Sequence, residues 1–297
     1  MNVLRPASDH AYHRSLLILL ILTWAISWPV IKVGVTVLPP IWFGCLRYII
    51  AALCLFALVA MRRELIWPPR PDWPLIAVSG ALQMGAYTAL TGLALTILPP
   101  GRASVLAFST PIWVVPLAAS WLREPISQRA LLGAGMGLLG VVSIAAPSLH
   151  ADGKDQMLAY AMLMGAAAAW AISIVFVRRH HFSATVLALA PWQVLVAALL
   201  LLPLAIMIEG APPLIGAKGF AALAYVGPIA TAFAYWAVVE TGRHFPASTM
   251  STALLATPSL GILISALTLG ETIGVSLVAG VVLIGAGLRL ATAAERV

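Results

Sequence analysis

Apolar residues run in ten blocks, each long enough to cross a bilayer, separated by short polar or proline-containing breaks. The blocks fall at 15–35, 41–61, 73–95, 102–122 and 128–147, and again at 157–177, 184–208, 218–239, 247–269 and 273–291. Each is close to the roughly 20 residues that an α-helix needs to span the hydrocarbon core. The pattern predicts an all-α membrane protein of ten transmembrane helices. Prolines mark several breaks, at Leu38-Pro39-Pro40, Trp67-Pro68-Pro69-Arg70-Pro71 and Ala211-Pro212-Pro213, because proline ends helices and fits turns. The longest breaks are near ten residues, too short for an inserted soluble domain.

The blocks also repeat. Ser104, Thr110, Pro111, Ala119, Leu122, Glu124, Ile126, Gly133 and Gly140 recur 147 positions later as Ser251, Thr257, Pro258, Ala266, Leu269, Glu271, Ile273, Gly280 and Gly287. Gly80 matches Gly227 at the same offset, and Trp24-Ala25-Ile26-Ser27 recurs as Trp170-Ala171-Ile172-Ser173 at an offset of 146. The chain therefore divides into halves, 1–150 and 151–297, with five blocks each. An odd number of spans makes the second copy enter the membrane from the opposite side. The expected architecture is two inverted five-helix repeats, an arrangement suited to alternating access.

Composition agrees with the spans. Hydrophobic residues make up 62% of the chain and charged residues 9%, where a soluble domain carries roughly 25% charged. Placing the N-terminus in the cytoplasm puts twelve of the seventeen Lys and Arg residues on that side. By the positive-inside rule both termini are then cytoplasmic. This topology accounts for the net charge of +7 better than nucleic-acid binding does. Cys45 and Cys54 share one block without a metal-type or C-x-x-C spacing, which reads as buried thiols.

Candidate chemistry lies on polar and aromatic faces within the blocks. Trp24, Ser27, Trp28 and Ile31 share one face of the first block, and Pro29 leaves a carbonyl without its amide partner. Cavity lining and ordinary packing both fit this face. Gln83, Tyr87 and Thr91 form a polar stripe at four-residue spacing in the third block, matched by Thr231 and Tyr235 with Trp236 in the eighth. Such groups must face a cavity or another helix, because an unpaired polar group in hydrocarbon is costly. Ser104, Phe108 and Pro111 run down the fourth block and Ser251, Leu255 and Pro258 down the ninth, where the prolines predict kinks. Trp170 and Ser173 repeat the first block's face in the sixth. The glycines at 133, 135, 137 and 140, and at 280, 285 and 287, read as helix packing within the chain or between protomers.

No acidic residue lies near the middle of a block. A titratable carboxylate at depth is the usual device of proton coupling, so facilitated diffusion or exchange is the simpler mechanism. The four Asp and six His residues lie in breaks or at block ends. They assemble no intramembrane catalytic site, and no cofactor or metal is expected. A receptor would want long loops or an appended domain, and a channel a ring of charges or a filter-like loop. Lys32 and Arg47, near the outer ends of their blocks, read as interfacial cations, or as partners of a substrate carboxylate at an outer gate.

In these residues the chain resembles the drug/metabolite transporter superfamily, specifically its ten-span EamA-type carriers. The resemblance rests on Trp24-Ala-Ile-Ser-Trp-Pro, Trp170-Ala-Ile-Ser, Arg47, Thr110-Pro111, Thr257-Pro258, Glu124 and Glu271. It implies a central cavity between the first, third and fourth helices of each half, with the fifth helices set apart. It also implies export or exchange of small metabolites, most like the bacterial aromatic amino acid exporters of the inner membrane. The candidate substrate-binding residues are then Trp24, Ser27, Trp28, Gln83, Tyr87, Thr91, Ser104, Phe108, Trp170, Ser173, Thr231, Tyr235, Trp236 and Ser251, with Pro29, Pro111 and Pro258 as hinges. The expected partners are an amino acid-like small molecule and the lipid bilayer, with the chain a monomer or weak homodimer. Proton-coupled export of other drugs or metabolites, and a channel, remain alternatives. The halves differ where the second carries Gln193 against Arg47.

Overall fold

A computed structural model describes residues 7–123, 128–149, 154–245, 247–254 and 256–293. Among these residues every regular element is helical. The first half contains α1 (Ala7–Val37), α2 (Pro40–Met61), α3 (Trp73–Val78), α4 (Tyr87–Ile97), α5 (Pro100–Ala107), α6 (Thr110–Trp121) and α7 (Gln128–Ala145). The second contains α8 (Lys154–His180), α9 (Val186–Glu209), α10 (Ala217–Val226), α11 (Ala234–Gly242), α12 (Ala247–Leu254), α13 (Ala256–Leu269) and α14 (Val275–Ala293). π-Helical stretches at Ser79–Ala86 and Pro228–Phe233 join α3 to α4 and α10 to α11. Together these helices form ten rods at the positions of the ten apolar blocks. Six of them are long and apolar enough to cross a membrane, and Leu131–Ala145, Ala256–Leu269 and Val275–Gly287 are shorter apolar helices.

Local chemistry sets the rod ends. α2 and α5 each begin with a proline directly after an extended proline, Pro39 (ψ 132°) and Pro99 (ψ 145°). The first helical position needs no intrahelical N–H, so the ring fits there. Among the described residues five rods stop at a left-handed residue: Arg63 (φ 56°), Arg123 (φ 56°), His181 (φ 54°), Gly210 (φ 81°) and Gly270 (φ 69°). Apart from His181 these fall in pairs 147 residues apart, arginine in the first half and glycine in the second. At Arg63 the amides of Arg63 and Glu64 return to the carbonyls of Ala60 and Val59, a Schellman closure. An arginine there carries the left-handed penalty that glycine avoids. Arg63→Gly is therefore expected to raise thermal stability in detergent by about 1 kcal/mol; an unchanged melting curve would count against strain at this turn.

Carboxylates hold helix starts across the chain, Glu209 and Asp72 among them. Glu209, at the end of α9, accepts the amides of Ile41 (2.9 Å) and Trp42 (2.8 Å) at the start of α2. Asp72, fully buried before α3, accepts Ser183 N (2.8 Å), Ser183 Oγ (2.9 Å) and Ala184 N (3.0 Å) ahead of α9. Both orient a carboxylate onto N-terminal amides that no helical carbonyl reaches.

The rods pair reciprocally. α7 packs on α14, α2 on α9, α1 on α13, α10 and α11, and α8 on α4, α5 and α6. The α7–α14 contact is made by glycine: a Cβ at Gly140 would lie 2.8 Å from the Gly280 carbonyl, and one at Gly280 would lie 2.8 Å from that of Gly140. The opposite face of α7 presents Leu131, Leu132, Leu138 and Leu139, each more than half exposed. An outward leucine face beside an inward glycine face is what a helix packed in lipid requires. The glycines thus pack helices within the chain, while Gly135 and Gly285 meet no atom within 4 Å of a built Cβ.

Candidate functional site

Where α1, α2 and the third and eighth rods converge, they border a cavity of about 160 Å³. Its wall takes Trp24, Ser27, Trp28 and Ile31 from α1, Arg47 and Tyr48 from α2, and Gln83, Met84, Tyr87, Thr88, Thr91 and Leu95 from the third rod. Phe108, Trp170, Ala230, Thr231 and Tyr235 complete it. The volume is below the roughly 300–1,000 Å³ of pockets for drug-sized ligands, so the cavity suits a small metabolite.

Aromatic side chains form one side of it. Trp28 and Phe108 have ring centroids 6.5 Å apart, Phe108 and Trp170 6.4 Å, and Trp170 and Tyr87 5.2 Å in an edge-to-face contact. The break between α5 and α6, at Phe108 and Ser109, supports this arrangement by bringing the Phe108 ring between the two tryptophans. The polar side belongs to α2 and the π-helical stretches. Tyr48 donates to the Met84 carbonyl (3.3 Å) and shares a 2.7 Å hydrogen bond with Thr88. Arg47 Nε donates to Thr231 Oγ1 at 2.7 Å, and Thr231 Oγ1 donates to the Val226 carbonyl at 2.7 Å. The Arg47 guanidinium also lies 5.5 Å from the Tyr48 ring centroid. Among the described residues lining the cavity, Arg47 is the only charged one and there is no carboxylate.

Ten of the fourteen expected substrate-site residues meet in this wall: Trp24, Ser27, Trp28, Gln83, Tyr87, Thr91, Phe108, Trp170, Thr231 and Tyr235. Three do not. Ser104 is fully buried, donates to the Gly101 carbonyl (2.7 Å) and sits against Gly261 of α13. Ser173 stands one layer behind, donating to Gln83 Oε1 at 3.3 Å. Trp236 packs on Phe233 among the residues that bury Leu16, Leu17 and Leu20 of α1. The side chain of Ser251, and all of Glu124 and Leu255, lie outside the described residues. Pro29 sits inside α1, and the Ala25 carbonyl it leaves free faces Gly261 in the α1–α13 contact, away from the cavity. Pro111 falls just inside the start of α6, directly after the break in its rod, and Pro258 lies buried within α13.

Sequence reasoning missed Tyr48, Thr88 and the contact of Arg47 with Thr231, and it read Lys32 as an interfacial cation without its carbonyl partners. The available signal for Arg47 was an arginine inside an apolar block that holds no acid. Lys32 Nζ donates to the carbonyls of Leu95 (2.5 Å) and Leu98 (3.2 Å), so it closes the end of α4. Beside it a vestibule of about 530 Å³ is lined by Lys32, Arg102 and Glu271. Glu271 accepts the amides of Gly101 (2.8 Å) and Arg102 (3.2 Å) at the start of α5. Burial pushes its carboxyl above the usual carboxylate range, against the opposing pull of those amides and of Arg102 and Lys32. Because burial penalises the charge more than the cap rewards it, Glu271→Gln is expected to keep most of the stability that Glu271→Ala loses, about 1–2 kcal/mol. Equal melting temperatures for the two variants would show that the cap carries little.

At the other end of α1, His13 stacks on His244 with centroids 3.3 Å apart, and its Nε2 lies 3.8 Å from Glu240. The donor atoms of His13, Glu240 and His244 lie within 4.8 Å of one another, a cluster not anticipated from sequence.

The model of the EamA-like transporter family matches residues 14–146 and 157–293. The chain is 27% identical over 291 residues to a probable amino-acid metabolite efflux pump of Salmonella typhimurium, covering 92% of each chain. It is 24% identical over 272 residues to the uncharacterized transporter YoaV of Bacillus subtilis, covering 91% of this chain and 93% of that one. A stretch of 135 residues, 46% of this chain and 45% of its match, is 32% identical to a probable terminal-alkyne amino-acid exporter of Streptantibioticus cattleyicolor. A solved crystal structure superposes over 96% of this chain and 99% of its own with a TM-score of 0.65 at 22% identity, which establishes a shared fold.

Proposed function

The chain belongs to the EamA-like transporter family, and we propose that it exports small amino acid-like metabolites across a bacterial inner membrane by alternating access. The observation that carries this reading is the cavity, walled by the first and third rods of both halves with Arg47 and Tyr48 from α2 and Phe108 from the fourth rod, aromatic on one side and hydrogen-bonding on the other. An aromatic wall suits an apolar side chain, and a few convergent polar groups fix its orientation.

The halves, 1–150 and 151–297, act as inverted five-helix repeats with both termini in the cytoplasm. Reciprocal pairing supports this: the first rod of each half packs on the third and fourth rods of the other, the second on the second, and the fifth on the fifth. Rocking one half against the other then exposes the cavity to either side in turn. Among the described residues the lining holds no carboxylate, and this supports transport by facilitated diffusion or exchange. Amino acid-like cargo accords with the printed names of two relatives, a probable amino-acid metabolite efflux pump and a probable terminal-alkyne amino-acid exporter.

The test is uptake and efflux in proteoliposomes loaded with labelled amino acids, sugars or cationic drugs, with and without a pH gradient. Movement of amino acids without a gradient is expected. Movement of none would sink the substrate class, and strict dependence on the gradient would sink uncoupled transport. Alanine at Trp24, Tyr87, Trp170 or Tyr235 is expected to cut the rate at least tenfold in protein that still elutes as a single species. That corresponds to about 1.4 kcal/mol, within reach of one lost aromatic contact.

A further inference from the structure

Arg47 is a cation inside a membrane-spanning helix, and among the described residues no carboxylate lies within ion-pair distance of it. Its Nε is held by Thr231, whose hydroxyl is fixed in turn by the Val226 carbonyl. One face of the guanidinium is held toward the Tyr48 ring. These contacts fix the fork in orientation, yet neither Nη has a hydrogen-bond partner among the described residues, and the side chain borders the cavity. A charge at this depth is costly unless it is paired, and intramembrane ionisable residues usually mark the path of a substrate. The planar fork matches a carboxylate with two parallel hydrogen bonds.

The rest of the wall decides the ligand's net charge. Among the described lining residues no carboxylate is present to pair an ammonium group. The aromatic faces offer an ammonium only a weaker attraction, and several of those rings already contact one another. We infer that Arg47 anchors the carboxylate of the cargo, and that the preferred cargo is a net monoanion with an aromatic or apolar body, such as an amino acid whose amine is acylated or absent. This rests on the carrier reading above and sharpens its substrate class. It also gives export a driving force without proton coupling, because the inside-negative membrane potential pushes an anion outward.

Binding and transport are measured separately. Purified protein in detergent is titrated with N-acetylphenylalanine, phenylalanine and phenylalanine amide, which share a ring and differ in charge. The N-acetyl acid is expected to bind at least tenfold tighter than either of the others. Arg47→Gln should erase that preference, and Arg47→Lys should retain part of it, since the charge stays and the fork goes. In proteoliposomes, an inside-negative potential of about 60 mV should shift the equilibrium distribution of the anion outward about tenfold and leave that of phenylalanine unchanged. Equal binding of all three probes, tighter binding of the amide, or a preference that survives Arg47→Gln in folded protein would overturn the inference. A wild-type protein that binds the N-acetyl acid selectively yet moves nothing would leave Arg47 as the anchor and remove the carrier reading instead.

Discussion

Gly280→Ala is expected to destabilise the folded protein by about 2–3 kcal/mol, the scale of an overpacked core. The added methyl would lie 2.8 Å from the Gly140 carbonyl oxygen and would also strike the Ile144 side chain. The carbonyl belongs to helix backbone and cannot swing aside, so α7 and α14 must separate. Helices in lipid associate largely through close packing, and separation forfeits contacts along their length. Gly140→Ala meets the reciprocal obstacle, with the Gly280 carbonyl at 2.8 Å and the Ile284 amide at 3.1 Å. The controls lie on the same two helices. Gly135 and Gly285 have open space where the methyl would go, so alanine there should stabilise by about 0.5–1 kcal/mol through reduced backbone entropy. Thermal unfolding in detergent reads all four variants. If Gly280→Ala melts with Gly285→Ala, the glycine seam is not what holds the fifth rods together.

Asp72→Ala is expected to cost about 3 kcal/mol, the scale of a buried charged acceptor removed from its donors. Three donors converge on this fully buried carboxylate: the Ser183 amide, the Ser183 hydroxyl and the Ala184 amide. Alanine leaves the Ser183 and Ala184 amides without their acceptor and removes three charge-assisted bonds at once, from a turn in which Ser183 is exposed and Ala184 half-buried. Asp72→Asn keeps one acceptor oxygen and should lose roughly half as much, if charge assistance about doubles each bond. Glu209→Ala should fall between them, because Glu209 is only half-buried and accepts two donors where Asp72 accepts three. Asp72→Ala and Asp72→Asn melting alike would show that the amides find other acceptors and that the carboxylate does not order the approach to α9.

The ten rods were legible because a bilayer imposes a length, and the apolar blocks carry it. The aromatic face of the cavity was also legible: Trp24 and Trp28, and Gln83 with Tyr87 and Thr91, keep helical spacing, so one visible residue implies its neighbours. The misplacements share a cause. Ser104 was assigned to the face of Phe108, but a serine in a helix can satisfy its hydroxyl on its own preceding turn, as Ser104 does on Gly101. It then needs no cavity. Trp236, next to Tyr235, points about a quarter-turn away, into the packing around α1.

What spacing within one block cannot reveal is a partner in another. Arg47 and Thr231 are 184 residues apart, and Asp72 and Ser183 are 111 apart. Arg47 turns its long side chain inward to a hydroxyl that the local pattern does not contain. The π-helical stretches at Ser79–Ala86 and Pro228–Phe233 were also hidden, since a widened turn changes which residues share a face without changing composition.

The cap that Glu209 places on Ile41 and Trp42 has a consequence for the order in which the chain is made. The carboxylate lies 168 residues downstream of the amide it receives. At about 5–20 residues per second, α2 leaves the ribosome roughly ten to thirty seconds before its cap exists. During that interval the first turn of α2 has only lipid headgroups and water to satisfy it. A first half expressed alone would keep that frayed end permanently, and co-expression of 151–297 as a separate chain should restore it.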